Sequence, residues 1–393
     1  MSHRLSHTLL AVCLFVLVGG FSSSLAFAQE EAAPKKTGRT TEDGLFTIDK
    51  DLDNLAVLSQ GNTGTCWAFA TVSFFEAEIL RSSGKRVDLS EIYPVYFTYL
   101  LKARRYLEKK GESQFTEGGL SHDLRLVIEE FGVAPQSAFK GLLPGDRIHN
   151  HSELSRVTKG FLDGLLPKKP KEGQRKRRRK FVPSKKWEDA YRGILDAYLG
   201  EIPKTVTVDG KEMSTQEYAR DHCGFKSEDY LEVMSNGTKP MWEENSLDVP
   251  DNWCRDAKYR NVPLKDLMEA MDHAVAKGYS VAVDVDVSEP GFKARKGVAT
   301  LPAELEKKGA VTQEIRDQMF KSGKTSDDHL MHVVGTAKDK NGKVFYVVKN
   351  SWGKIGPYQG YMFMSRPYMA AKMLAFMVHK GGLPKPVIEK VQP

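Results

Sequence analysis

Cysteine is scarce in this 393-residue chain: Cys13, Cys66, Cys223 and Cys254 are all there are. So few exclude a disulfide scaffold and a cysteine-rich zinc module. Histidine is also sparse, and its spacing matches no metalloprotease pattern; His149 and His151 sit close together, but Ser152 beside them reads as a helix cap. No metal or other cofactor is therefore expected. Internal repeats and long low-complexity tracts are missing, which excludes a repeat architecture. Beyond the amino terminus no apolar run approaches the roughly 18 residues that cross a bilayer.

A basic surface field is missing too, despite a net charge of +7. Eleven Lys or Arg lie between Lys168 and Lys186 against Glu172 alone, which leaves the remainder at about −3. Prolines and a glycine flank this run (Pro167, Pro170, Gly173, Pro183), so it reads as a solvated loop within 167–186. An obligate nucleic-acid partner is not expected.

The amino terminus carries a targeting pattern. Arg4 precedes the apolar stretch Leu9 to Val18, and Ala26-Phe27-Ala28 offers a small-residue cleavage site. Residues 1–28 are read as a signal peptide, with cleavage before Gln29 and export to a periplasm or the extracellular space, free of the membrane afterwards. The mature chain then keeps three cysteines, an odd number that implies at least one free thiol. Whether Cys223 and Cys254 pair stays open.

Residues 29–45 are polar and lack apolar periodicity. The spacing of Trp67, Ala70, Phe74, Ala77 and Ile79 predicts a helix from Thr65 to Arg81, stopped by Gly84. Further helices are expected from Ser90 to about Lys110 and from Ser121 to Phe131. The middle, about 135–261, reads as helical with long loops. Strand-like runs follow at 279–287, 343–349, 360–364 and 373–379, with Asn341-Gly342 as a hairpin signal. Helices first and strands later predict an α+β protein. A helical lobe of about 60–260 with an insertion at 136–260 is expected, then a sheet lobe of 261–385 and a tail of 386–393.

Cys66 falls at the start of the first helix, where backbone N–H groups favour a thiolate. Gln60, six residues earlier, could share an oxyanion with the Cys66 N–H. His329 leads into an apolar strand, Met331 to Val334, and Asn350 follows another and precedes Ser351-Trp352-Gly353. Neighbouring antiparallel strands could set the Asn350 amide on one imidazole nitrogen, with Trp352 as a shield, and leave the other nitrogen to the thiol.

These segments resemble the papain superfamily of cysteine peptidases. Gln60-Gly61-Asn62-Thr63-Gly64-Thr65-Cys66-Trp67 is similar to its nucleophile segment, Asp328-His329 with Gly335 to its histidine segment, and Lys349-Asn350-Ser351-Trp352-Gly353 with Gly360-Tyr361 to its asparagine segment. Glu117-Gly118-Gly119 resembles the paired glycines that line its cleft. Leu89 to Tyr93 and Lys102 to Glu108, Phe131-Gly132-Val133 with Pro135, and Val283 to Val287 resemble the bleomycin hydrolase and aminopeptidase C branch, from about residue 45 to 385. The resemblance implies a two-lobed papain-like fold with a large helical insertion and cysteine aminopeptidase activity on peptides. Cys66 would be the nucleophile, His329 the base, Asn350 its orienter and Gln60 an oxyanion donor, with Gly64, Gly118, Gly119 and Trp352 at the substrate. A thiolate–imidazolium couple near neutral pH is expected.

The alternatives are an endopeptidase, or an inactive papain-like protein that binds peptides or polyanions. Thr63 stands where secreted papain relatives carry a cysteine, so their usual disulfide is missing. Only 37 residues, 29–65, precede Cys66 in the mature chain, too few for an inhibitory prodomain. A cleft occluded by the tail or enclosed in a homo-oligomer is the expected restraint on self-digestion.

Overall fold

The computed structural model describes residues 38, 40–167, 181–255 and 258–391. The expected signal peptide, most of the adjoining polar segment and the basic run at 168–180 lie outside the described residues.

Three helices form where apolar residues recur at helical spacing: α1 (Cys66–Ser83), α2 (Ile92–Glu108) and α3 (Ser121–Phe131). Each expected span agrees to within two residues. Gly84 ends α1 at φ 72°, where its N–H bonds to the Leu80 carbonyl. Every residue of α1 from Trp67 to Ile79 is buried, because α2 and α3 cover one side and a sheet covers the other. Two more helices, α4 (Ser152–Leu165) and α5 (Trp187–Leu199), close the outer face of α2.

Seven strands carry the sheet: β1 (Phe46–Asp51), β2 (Tyr230–Met234), β3 (Val281–Val285), β4 (His329–Asp339), β5 (Val344–Lys349), β6 (Tyr361–Ser365) and β7 (Met373–His379). Their order is β2-β7-β3-β4-β5-β6, all antiparallel, and short two- and three-residue strands extend both edges. The first half of β4 pairs with β3, and its second half pairs on the same edge with β1. Gly342, at φ 78°, turns β4 into β5 at the expected hairpin.

Period-two alternation decides which way each strand faces. Along β3, Val281, Val283 and Val285 join the core on the far side of the sheet under α6 (Leu264–Lys277). Ala282 instead joins the core around α1, which puts Asp284 on that same inner face. Leu330, the cross-strand partner of Asp284, also lies in the inner core.

The lobe boundaries differ from those expected. The sheet is not confined to 261–385, since β1 and β2 come from before it. Tyr230–Met234 is buried on both faces and carries Glu232 in its centre, so neither alternation nor a pure apolar run marked it. Within the supposedly helical insertion, Thr205–Val208 and Lys211–Ser214 form a hairpin. Its Asp209-Gly210 turn has φ 51° and 75°, a standard hairpin signal that the sequence reading passed over. The tail is not free: Lys385–Val391 is helical, and Val387 and Val391 bury in the core under α6.

Candidate active site

Cys66 is the first residue of α1, His329 the first of β4, and Asn350 follows the last residue of β5. The segment before α1 is stitched to the segment after Asn350. The Gln60 N–H donates to the Ser351 carbonyl at 2.9 Å and the Gly353 N–H to the Leu58 carbonyl at 3.0 Å, with Ser59 bridged to Trp352. Residues nearly 300 positions apart are thereby held side by side.

His329 Nε2 donates to Asn350 Oδ1 at 2.8 Å. The same oxygen accepts the Ser351 N–H at 2.7 Å, and two donors on one atom fix the orientation of the amide. Because that oxygen can only accept, Nε2 carries the proton and Nδ1 of the neutral ring is the basic nitrogen. The Trp352 ring lies 4.6 Å from the imidazole, centroid to centroid. Cys66 Sγ faces the backbone N–H of Leu330, the residue after His329. Gln60, Asn350 and His329 are thus linked through Ser351, and Cys66 lies toward the strand that His329 begins.

Gln60 is buried, and its amide is partly committed. Nε2 donates to the Thr63 carbonyl at 2.7 Å while Oε1 accepts from Ser351 Oγ at 2.7 Å. A primary amide has two N–H donors, so one remains for an oxyanion beside the Cys66 N–H.

The glycines divide in role. Gly64 donates its N–H to Glu117 Oε2 at 2.6 Å, and Ser155 Oγ holds the other oxygen of that carboxylate. Trp67 Nε1 bonds to the Glu117 carbonyl at 3.0 Å, which ties the glycine pair to α1. A Cβ on Gly119 would meet the Trp67 ring at 3.0 Å and Asp123 Oδ2 at 2.6 Å, so that position serves packing. Gly118 lies directly under the Asp251 carboxylate: a Cβ there would meet Oδ2 at 2.0 Å.

Burial bears on the charges of both reacting groups. It pushes the Cys66 thiol up to about 12, against the Leu330 N–H and with added repulsion from Asp284, Asp251 and Asp327. It pushes His329 down to about 4, opposed by the bond to Asn350. Burial thus works against the charged form of each group, while the α1 amino terminus and the pairing of the two charges favour the expected thiolate–imidazolium couple. Proton transfer from thiol to imidazole creates both charges together, so each stabilises the other.

His332, the rival candidate for the base, and several residues with no role assigned from the sequence lie nearby. Beneath the site His332 Nδ1 meets Ser73 Oγ at 3.0 Å, and Lys349 Nζ donates to that hydroxyl at 2.8 Å. Glu76 and Glu91 are buried beside them, both 2% exposed. Burial raises Glu91 to about 8. A carboxyl raised in this way favours the folded state at low pH and loses that contribution as pH climbs from about 4.3 through 8. Glu91→Gln is therefore expected to leave the thermal midpoint at pH 4 nearly unchanged and to raise it at pH 8.5 by roughly 2 °C or more. Calorimetry at the two pH values checks it.

His122, Asp123 and Cys254 place ligand atoms within 4.8 Å of one another. Those atoms are engaged already: Asp123 accepts from Trp253 Nε1 and the Leu120 N–H, and His122 meets Tyr259 and Cys254. Cys223 and Cys254 are both free and buried, so the pairing left open does not form.

A sequence model of the Peptidase C1-like family matches residues 201–393. Aminopeptidase C of Lactobacillus delbrueckii subsp. lactis is 23% identical over 392 residues, covering 87% of this chain and 83% of the relative. Aminopeptidase C of Listeria monocytogenes is 24% identical over 399 residues, covering 91% and 87%. The solved structure of PepW from Lactobacillus rhamnosis superposes with a TM-score of 0.68 at 18% identity, covering 88% of this chain and 84% of that one.

Proposed function

We propose that this chain, which belongs to the papain superfamily of cysteine peptidases on its aminopeptidase C and bleomycin hydrolase branch, releases amino-terminal residues from peptides by thiol chemistry at Cys66. The observation that carries the site assignment is the orientation of His329: Nε2 is fixed on Asn350, and Nδ1 is left for the thiol.

In the reaction, the Cys66 proton passes to His329 Nδ1 as Sγ attacks the scissile carbonyl. The oxyanion is held by the Cys66 N–H and the remaining Gln60 N–H. The C–N bond breaks as the imidazolium protonates the leaving amine, and a thioester remains. Water then gives a proton to Nδ1 and attacks the thioester. Loss of the free acid returns the proton to sulfur. The signal-like pattern at residues 1–28 supports export and a role outside the cytoplasm. The mature chain is then expected to begin at Gln29, which mass analysis of the secreted protein checks. With the described part of the tail buried under α6, enclosure in a homo-oligomer is the restraint on self-digestion that we favour.

Aminopeptidase action is tested with matched free and N-acetylated peptides. Free peptides should shorten stepwise while their acetylated counterparts persist; equal cleavage of both would make the enzyme an endopeptidase. Asn350→Ala frees the imidazole to rotate without removing it. We expect kcat to fall by about 10- to 100-fold, with KM largely unchanged, measured by initial rates.

A further inference from the structure

An aminopeptidase needs a device that stops the substrate one residue past the reacting carbonyl and binds its charged amine. We propose that Asp251, Asp284 and Asp327 form a carboxylate pocket that closes the cleft beyond Gly118 and receives the substrate's α-ammonium. The proposal rests on the peptidase reading above and names the recognition element for it.

The three acids come from distant parts of the chain. Asp251 belongs to the loop that meets the glycine pair, and its carboxylate occupies the space over Gly118 where a longer substrate would have to run. The Gly118 carbonyl, the natural acceptor for an extended substrate backbone, is already taken by Lys102 Nζ. Asp327 reaches over from the sheet side, two residues before His329, and lies near the backbone N–H of Asp251. Together they wall off the cleft. Asp284 lies on the inner face of β3 opposite Leu330, whose N–H lies toward Cys66 Sγ.

Asp284 is the decisive residue. It is only 4% exposed, and among the described residues no donor group reaches either of its oxygens. What it meets is another carboxyl, that of Asp327. Burying such a group unsatisfied costs stability that a binding site can justify. The cations nearby are spent elsewhere. Lys102, 1% exposed, also donates to the Thr116 carbonyl at 2.9 Å. His122 is 3.5 Å from Asp123 and bonded to Cys254 and Tyr259. Asp251 has the Thr116 hydroxyl nearby and Asp327 the Asp251 N–H, which leaves lone pairs on both carboxyl groups. A primary ammonium brings three N–H donors and one positive charge, which answers all three carboxylates.

The same chemistry could come from a lysine or arginine side chain at the second residue of a blocked peptide, and the experiment separates the two sources. Phenylalanine amide, N-acetyl-phenylalanine amide and N-acetyl-lysyl-phenylalanine amide are each titrated as protectors of Cys66 against a neutral thiol-reactive epoxide. The variants are Asp251→Asn, with Asp327→Asn as a second in case the first perturbs the loop. In the wild type, phenylalanine amide should protect at least tenfold more strongly than its acetylated form, and that ratio should collapse in both variants. Retention of the ratio in both variants would overturn the pocket. Stronger protection by the acetyl-lysyl compound, lost on Asp251→Asn, would overturn the α-ammonium assignment in favour of a cationic side chain. Protection is read without turnover, so failure of the peptidase reading, seen as no hydrolysis of any peptide, is distinguishable from failure of the pocket.

Discussion

Cys66→Ala is expected to lower peptide turnover by roughly 10⁵-fold, to the level that binding alone supports. The substitution removes the atom that forms the thioester, and the other thiols among the described residues are buried. These are Cys223 and Cys254, the latter against His122. Stability should barely change. Position 66 is the first residue of α1 and only partly buried, and alanine suits a helix at least as well as cysteine. A thermal midpoint within about 2 °C of the parent, together with vanished activity, would separate lost chemistry from lost fold.

His329→Ala should cost about 10⁴-fold in kcat. Without the imidazole nothing takes the thiol proton, and burial keeps that proton in place, with the thiol pushed up to about 12. Since thiol and imidazole act as one unit, the double variant should be no slower than Cys66→Ala alone. The Asn350 amide would stay positioned, because the Ser351 N–H still holds Oδ1 at 2.7 Å. Raising the pH should recover part of the His329→Ala activity, as direct ionisation of Cys66 becomes accessible. Rates across pH 6 to 10 for parent and variant check this, and a variant whose activity stays flat would contradict the assigned base.

Much of this site was legible because its chemistry sits in short, ordered segments. Cys66 opens a helix whose apolar spacing is plain, and His329 and Asn350 flank strands whose β-branched residues mark them. The network around them was not legible, for physical reasons. Asp251, Asp284 and Asp327 come from a loop, a strand and a turn that only the fold unites. Asp284 in Val281–Val285 was noted for its pattern, but a lone acid among valines does not say which face it takes. Burial was equally hidden. A helix start argues for a thiolate, and only the packing around Cys66 reveals that desolvation opposes that preference. Glu232 in β2 and the short β1 concealed two strands, which is why the sheet was placed too late in the chain.

Two chain segments far apart in sequence must present one sulfur to one imidazole, and a single labelling experiment tests this most directly. Intact protein is treated with one equivalent of a neutral thiol-reactive epoxide, and the modified residue is mapped by mass spectrometry, with His329→Ala treated in parallel. The account predicts one label per chain, on Cys66, with the rate falling at least tenfold in the variant. Modification at Cys223 or Cys254, or equal rates on Cys66 with and without the histidine, would contradict it.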